Sequence, residues 1–282
     1  SLQSLNIVGS CNGLLCISQE DPPNGIFLWN PATRQLRSLP EPQIGPGLDL
    51  STVAFGFGSD PVTDDYKLVR FVWHDDNYLS GSYRLRTEVY RLSSDCWRET
   101  KAADLLTVSP LHYSRTFVNN GFLYWVGINV PNHRRCIVSF NVGAELFREI
   151  ELPNSEPPPS AGMRLAVFRG SMLALFLYSI VEDLNRCFDL WVMNDDGVCN
   201  SWSKQFTIGP FSRVARPLGL WKNGEGVIFG YREKLNEELF MYNYNPNMQE
   251  KIKDFPTRGD GLIAGGVHYY VESLVSVQSS VW

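Results

Sequence analysis

The sequence predicts an all-β fold, a β-propeller with six blades of four antiparallel strands, the last blade incomplete. The main observation is a unit of roughly 50 residues that recurs along the 282-residue chain. Each unit contains short runs of Val, Ile, Leu and aromatic residues, separated by Gly, Pro, Asn and Asp, which is the pattern of strands and turns. Four strands in each repeated unit are typical of a propeller.

Two series of residues mark the repeat. An aromatic residue lies in the third strand of each unit: Trp29, Tyr90, Phe140, Trp191 and Tyr242, spaced by 61, 50, 51 and 51 residues. A glycine lies in the first turn of most units: Gly13, Gly121, Gly170, Gly224 and Gly266. The second unit has the longer turn 59–65 in place of this glycine. The two series keep one register, which supports a true repeat.

The first unit shows why these segments form hairpins. Asn12-Gly13 joins the first two apolar runs, and both residue types accept the positive φ that a tight hairpin turn requires. Asn30-Pro31 ends the third run, because proline has no N–H with which to continue a strand ladder. Helical periodicity is weak and confined to residues 101–106.

The later units are read in the same way. The predicted strands are 52–58, 66–73, 85–92 and 96–100 in unit two, and 115–118, 122–128, 136–141 and 146–152 in unit three. They are 164–168, 172–180, 188–193 and 202–208 in unit four, and 218–221, 226–231, 238–244 and 250–255 in unit five. Residues 261–277 supply only two strands of a sixth unit. A propeller closes to hide its sheet edges, so we expect the outer strands of that blade to come from sequence before Ser1.

Composition and charge narrow the class of protein. Hydrophobic residues make up 44% of the chain and charged residues 20%, which favours one packed domain over residues 1–282. The net charge of −5 gives no electrostatic reason to expect nucleic acid or a membrane as a partner. The six cysteines lack metal-finger spacing, which favours reduced thiols in the cytoplasm or nucleus.

Motifs for catalysis are absent from the sequence. It has no nucleophile elbow, zinc-protease helix, phosphate-binding loop or dinucleotide fingerprint. The four histidines lie far apart, and acid pairs such as Asp64-Asp65 fall in predicted turns, where Asp caps its own backbone. We therefore expect no catalytic residue, metal or cofactor. The tryptophans fit blade cores, with sugar stacking as the alternative: Trp29, Trp97, Trp125, Trp191, Trp202 and Trp221.

The predicted recognition surface is the one where loops between second and third strands emerge beside the connectors between blades. Aromatic and arginine side chains on loops held by a rigid scaffold are typical of recognition surfaces. The candidate partner-binding residues are Trp73, His74, Tyr78, Tyr83, Arg84, His133, Arg134, Arg135, Arg186, Arg213, Arg216 and Arg232.

Several motifs together resemble the plant F-box-associated domain. They lie at residues 8–16, 28–34, 55–58, 64–70, 89–90, 96–98 and 270–276, and include Leu28-Trp29-Asn30-Pro31-Ala32-Thr33-Arg34. The resemblance covers nearly the whole chain and implies a kelch-like propeller that follows an N-terminal F-box. It implies that the propeller selects a target protein while the F-box binds the Skp-type adaptor of an SCF-type cullin-RING ubiquitin ligase. No F-box-like helical segment is present in this sequence, so adaptor and cullin would bind only through the missing F-box.

The leading hypothesis is therefore a non-catalytic, target-binding module of a ubiquitin ligase. The alternative is a propeller-fold carbohydrate-binding protein or hydrolase that uses the central pocket. That function would need convergent His and acid side chains at the axis, or an exposed tryptophan in a concave site. A third hypothesis is an interaction scaffold without ubiquitin chemistry.

Overall fold

The structure is a computed structural model that describes most of the chain. The described residues are 5–19, 25–44, 51–75, 83–100, 108–110, 117–119, 121–129, 131–153, 161–170, 172–179, 186–195, 200–211, 215–221, 224–233, 236–243 and 270–277. They form twenty β-strands. Among these residues, no helix is long and apolar enough to cross a membrane.

The strands form antiparallel sheets in which neighbours in sequence are neighbours in space. Sheet one contains β1 (Leu5–Cys11), β2 (Leu14–Gln19), β3 (Ile26–Asn30) and β4 (Gln35–Ser38). Sheet two contains β5 (Ser51–Ser59), β6 (Tyr66–Asp75), β7 (Tyr83–Arg91) and β8 (Cys96–Glu99). Sheet three contains β9 (Val108–Pro110), β10 (Phe117–Asn119), β11 (Phe122–Asn129), β12 (Arg135–Asn141) and β13 (Leu146–Ile150).

The remaining strands continue this order. Sheet four contains β14 (Ala161–Phe168), β15 (Met172–Ser179), β16 (Arg186–Asp195) and β17 (Asn200–Phe211). Sheet five contains β18 (Ala215–Trp221), β19 (Gly226–Glu233) and β20 (Asn236–Asn243). The predicted strand 250–255 lies outside the described residues. The other predicted strands of units two to five are confirmed, with differences at their ends.

Sheet three has an edge that the sequence does not predict. Both β9 and β10 pair antiparallel with β11, β10 along its first three residues and β9 along its last three. The two short strands therefore share the position that one first strand takes in the other sheets.

The all-β propeller class is confirmed, but the count of six blades is wrong for the described residues, which form five sheets. The predicted strand at the end of the chain is also wrong, because residues 270–277 have no strand conformation. The reason is that the backbone carbonyl groups of this segment accept hydrogen bonds from side chains of sheet one and not from the backbone of a neighbouring strand.

Left-handed backbone conformations make the turns of these hairpins. Asn12 and Gly13 have φ of 46° and 81°, and Arg169 and Gly170 have φ of 49° and 77°. Such pairs match the twist of two-residue hairpins. The turns between third and fourth strands place another positive φ immediately before the last strand in each of the first three sheets, at Arg34, Asp95 and Glu145.

The aromatic markers of the repeat all lie on third strands, as predicted. Each is directly opposite an aliphatic residue of the second strand, in the pairs Leu15 and Trp29, Leu68 and Tyr90, Leu123 and Phe140, Leu175 and Trp191, and Val227 and Tyr242. Cross-strand pairs of this kind stabilise a sheet and fix its register. The repeat in the sequence is therefore a repeat of strand register.

The chain divides into two compact units. Unit 1 comprises residues 1–150 and 269–282, and unit 2 comprises residues 151–268. In unit 1, one apolar cluster packs sheet one against sheet two and a second packs sheet two against sheet three. In unit 2, an apolar cluster packs sheet four against sheet five.

In unit 1, a segment distant in sequence is bound to sheet one through Asn30. The Asn30 side chain is fully buried. Its Nδ2 donates to the carbonyl oxygens of Ser273 and Val275, at 2.9 and 2.7 Å. Its Oδ1 accepts from the backbone N–H groups of Ala32 and Thr33. We call the contacts of Asn30 with Ser273 and Val275 the C-terminal clasp. All the hydrogen-bonding capacity of the amide is used.

Replacing Asn30 with alanine is expected to lower the free energy of unfolding by about 2–4 kcal/mol, because buried carbonyl groups lose their donors. Asn141→Ala is the matched control. Asn141 has the corresponding position in sheet three, where its Oδ1 accepts from Ala144 N–H. The control should cost about 1 kcal/mol. Denaturant unfolding followed by tryptophan fluorescence measures both, and equal losses would contradict a role for the clasp.

Candidate functional site

Each sheet has two chemically different ends. In an up-and-down meander, the turns between first and second strands and between third and fourth strands lie at one end, which we call the turn end. The loops between second and third strands lie at the other end with the connectors to the next sheet, and we call this the connector end. Ten of the twelve predicted partner-binding residues belong to the described part of the chain, and these ten lie at connector ends, seven of them in unit 1 and three in unit 2.

In sheet two, the predicted recognition loop is shorter than expected. Trp73 and His74 belong to β6, and Tyr83 and Arg84 belong to β7. His74 is paired directly with Arg84. Only residues 76–82 connect the two strands, and Tyr78 among them lies outside the described residues. Strand pairing therefore continues further towards the connector end than the polar sequence indicated.

In sheet three, the loop before β12 presents two basic residues to solvent. His133 and Arg134 are exposed, while Arg135 begins β12 and is half-buried. The Arg134 N–H donates to the Oδ1 of Asn132 at 2.9 Å, and the Asn129 N–H donates to the Arg134 carbonyl at 2.7 Å. These bonds and the φ of 56° at His133 define the loop backbone. The two side chains are thus held on an ordered turn.

In unit 2, the predicted residues have different environments. Arg186 is the first residue of β16 and only 5% exposed, so its prediction as a surface loop residue is wrong. The strand begins earlier than expected and draws this residue inward. Arg216 lies on β18 and is half-buried, and Arg232 lies on β19. Arg213 lies outside the described residues.

Arg186 and Arg216 belong to a group that includes Arg164, a residue that the sequence did not indicate. Burial raises the pKa of Tyr178, while the positive charges of Arg164, Arg186 and Arg216 lower it. The strand register agrees with this grouping. Tyr178 pairs with Gly162 and Phe188. These two residues lie two positions from Arg164 and Arg186 on the same face, and β18, which carries Arg216, contacts β14. We call Arg164, Arg186, Arg216 and Tyr178 the arginine cluster. No sequence pattern reveals it, because its members come from four strands in two sheets.

At the turn end of unit 1, charged residues form a buried ion cluster between sheets two and three. Lys67 Nζ donates to the Val142 carbonyl at 2.6 Å and lies 3.0 Å from Glu145 Oε1 and 3.6 Å from Asp60 Oδ2. Arg91 and Arg98 also pair with Glu145. Burial, and to a smaller extent the charge of Arg91, lowers the pKa of Lys67. The contacts of Lys67 with Val142 and Glu145 join sheets two and three, and no sequence pattern indicates them.

A second buried ion pair holds the connector between sheets one and two. Arg70 Nη1 donates to Glu88 Oε2 at 2.7 Å and to the Ile44 carbonyl at 3.2 Å. The Ile44 N–H donates to Glu88 Oε1 at 2.6 Å. Arg70 and Glu88 face each other on β6 and β7, so the strand register creates the pair and the connector docks on it.

The prediction that all six tryptophans fill blade cores is correct only in part. Trp97 and Trp125 are buried, and their indole N–H groups donate to the carbonyls of Pro40 and Phe55. Trp29 and Trp221 are 37% and 39% exposed. Trp191 and Trp202 are half-buried. Exposure depends on which sheet covers a strand, and the strand pattern does not contain that information.

Within the described residues, no group of three or more His, Cys, Asp or Glu side chains could hold a metal ion. The described cysteines carry free thiols, at positions 11, 16, 96, 136 and 187. Burial raises the pKa of Cys16, and it raises that of Cys136 to about 12, which makes these two thiols poor nucleophiles.

The carboxyl group of Asp60 makes unit 1 sensitive to acid. The hydrogen bond from the Val62 N–H is the largest cause that lowers the pKa of Asp60, and Lys67 adds to it. A lowered pKa in the folded state stabilises the protein above the pKa of the unfolded chain. We expect this stabilisation to be lost as the pH falls below the usual range of an aspartate.

Asp60→Asn is expected to make unfolding midpoints less dependent on pH in the acid range. Asp64→Asn is the matched control, because Asp64 is exposed in the same turn and its φ of 55° suits asparagine. Thermal unfolding measured in steps between neutral and acid pH tests this. The same acid dependence in wild type and Asp60→Asn would contradict the role of this carboxylate.

The chain is similar in sequence to known plant proteins. The chain is 29% identical over 248 residues to "F-box protein At3g07870" of Arabidopsis thaliana, covering 80% of this chain and 57% of that protein. It is 26% identical over 276 residues to "F-box protein CPR1" of Arabidopsis thaliana, covering 89% of this chain and 64% of that protein. The chain thus spans less than two thirds of the length of these relatives.

Among solved structures, TolB from Acinetobacter baumannii is similar with a TM-score of 0.51 at 11% identity, covering 86% of this chain and 52% of that chain. At this identity the likeness concerns the fold alone. The model of the family described as "F-box associated beta propeller domain" matches residues 2–277. The chain therefore belongs to the F-box associated β-propeller domain family.

Proposed function

We propose that this domain is the target-binding module of an SCF-type cullin-RING ubiquitin ligase. The observation that carries the proposal is the match of the family to nearly the whole chain. The named relatives are F-box proteins longer than this chain. In such a protein the F-box would bind the Skp-type adaptor, and this domain would position a target protein for ubiquitin transfer in the cytoplasm or nucleus. No residue of the domain would make or break a bond.

The structure of the connector ends supports a binding role. The loop with exposed His133 and Arg134 is fixed by its own hydrogen bonds, so a partner would order few further groups on binding. The opposite end of the same sheet takes part in the buried ion cluster through Glu145. Residues at the connector end can therefore vary with the target while the turn end keeps the sheets together.

The alternative of a carbohydrate-binding protein or hydrolase has less support. The exposed Trp29 lies opposite Leu15 and Leu36, and Trp221 lies opposite Gly226. Neither position places a pair of carboxyl groups beside the indole ring in the strand ladder. We therefore retain the target-binding role as the proposal.

Reversing the charge of Arg134 is expected to weaken target capture at least about tenfold, since a desolvated contact of an arginine commonly contributes this much. The matched control is Arg148→Glu. Arg148 is exposed on β13 of the same sheet, away from the connector end, and the change in net charge is identical. The domain would be fused behind an F-box and exposed to plant extract with the proteasome blocked. Captured proteins are then quantified by mass spectrometry. Equal capture by Arg134→Glu and the control would refute the role of this loop.

Replacing residues 76–82 with a Gly/Ser linker of equal length is expected to abolish capture and to shift the thermal midpoint by no more than about 2 °C. The reason is that the ladder closes with the pair Asp75 and Tyr83, which the replacement leaves intact. Deleting residues 73–84 is the contrasting variant, because it removes three residue pairs of the β6–β7 ladder and one of the β5–β6 ladder and should destabilise the domain. Undiminished capture by the linker variant would exclude this loop from the target site.

A further inference from the structure

Arg164 of unit 2 is half-buried as a residue, but two of its side-chain donors are fully buried. The Nε and Nη2 atoms of Arg164 are buried, and among the described residues they find no acceptor. The pKa of Arg164 is lowered to about 10, mainly by burial; Tyr178 opposes this shift, and the charge of Arg216 contributes to it. A buried guanidinium group without hydrogen bonds costs free energy, and neighbouring like charges add to the cost.

The strand pairing of sheet four positions Tyr178 and Arg164 of the arginine cluster. Tyr178 pairs with Gly162, and its ring lies 2.3 Å from the position that a Cβ of residue 162 would take. Arg164 follows two residues later on the same face of β14. The ring of Phe188 packs against Tyr178 at 5.0 Å between centroids. Tyr178, Phe188 and Arg164 therefore lie on one face of sheet four.

The other arginines reach the cluster from neighbouring strands at the connector end. Arg216 lies on β18, which contacts β14, and pairs with Gly230 of β19. Arg186 is the first residue of β16. The cluster therefore lies near the loops that the proposed function assigns to target binding.

We propose that Arg164, Arg186, Arg216 and Tyr178 form a binding site for the phosphate group of a ligand. Guanidinium groups recognise phosphate through pairs of parallel N–H donors, and the phenol can add an O–H donor. A doubly charged oxyanion matches several positive charges better than a single carboxylate does. The donors of Arg164 that lack an acceptor would supply two of the bonds.

Two sources of the phosphate group fit these donors. The first source, a phosphorylated side chain of the target, rests on the proposed function, whereas the phosphate site itself does not. A free phosphate ion would fill the same donors. The two sources differ in affinity, because a phosphorylated residue can also contact the loops around the cluster.

The test measures binding to the full 282-residue chain with inorganic phosphate as the probe. Thermal midpoints are recorded with increasing phosphate at constant ionic strength, with chloride as the reference. A ligand that binds only the folded state raises the midpoint. We expect phosphate, and not chloride, to raise it by roughly 2–4 °C. Titration calorimetry then provides the dissociation constant.

Arg164→Gln is expected to weaken phosphate binding at least about tenfold, since it removes the charge and the paired donors. Without phosphate, its midpoint should equal or exceed that of the wild type, because a buried charge without acceptors has been removed. Arg216→Gln, at a half-buried position, provides a second test if Arg164→Gln does not fold. Arg148→Gln in unit 1 is the control and should bind phosphate normally.

Phosphate that acts no differently from chloride, or full phosphate binding by both Arg164→Gln and Arg216→Gln, would overturn the site. Tighter binding of N-acetyl-phosphoserine amide than of inorganic phosphate would identify the source as a phosphorylated protein, and the reverse order would identify a free ion. Phosphate binding without target capture would count against the proposed function and leave the site standing. Target capture without phosphate binding would support the proposed function and overturn the phosphate site.

Discussion

The left-handed turns at the turn ends determine the register of every pair of strands that they join. At Asn12-Gly13 and Arg169-Gly170 both residues have positive φ, which permits only a two-residue connection between first and second strands. A shift of one residue would move each buried side chain to the opposite face of its strand. Second and third strands are joined at the connector end instead, and there each third-strand aromatic residue lies opposite Leu or Val of the second strand, a pairing that supports the register of that ladder. The apolar clusters between sheets follow in turn.

Within unit 1, the turn end has a second constraint, since it also holds sheets together. The φ of 81° at Gly13 and the approach of Ser273, 2.2 Å from the position of a Cβ at that residue, exclude any larger side chain there. Lys67 joins sheet two to the Val142 carbonyl of sheet three, and Asn30 binds the C-terminal segment. Substitutions at this end would disrupt several contacts at once.

The sequence predicts contacts that are local or that repeat, and it misses contacts between sheets. Strand order, the hairpin at Asn12-Gly13 and the aromatic register all follow from short-range patterns, and they are confirmed. The exposure of Trp29 and the burial of Arg186 depend on which neighbouring element covers the strand, and no strand pattern encodes that. The segment 270–277 has an apolar pattern like a strand, yet side chains of sheet one bind its carbonyl groups and no ladder forms.

The arginine cluster is a further example of contacts between strands and sheets that the sequence does not predict. Sequence reasoning found arginines at the connector ends because of their positions in loops, and Arg186 and Arg216 were among them. It did not find Arg164, because a single Arg within an apolar strand resembles any residue on a half-buried face. Only the pairing of β14 with β15 and its contact with β18 bring this residue to Tyr178 and Arg216.

Arg70 and Arg164 illustrate the difference between a structural role and a binding role. Burial lowers the pKa of both Arg70 and Arg164, so the desolvation cost is common to both. For Arg70 the charge of Glu88 opposes that shift, and Glu88 also binds Ile44, so the pair fixes a connector. For Arg164 the described groups that act on its charge are Tyr178 and another arginine. An uncompensated buried charge destabilises a fold. An anion from outside the chain would compensate the charge of Arg164 at the connector end. The contrast between these two residues is therefore the physical basis for assigning Arg70 to the fold and Arg164 to a ligand.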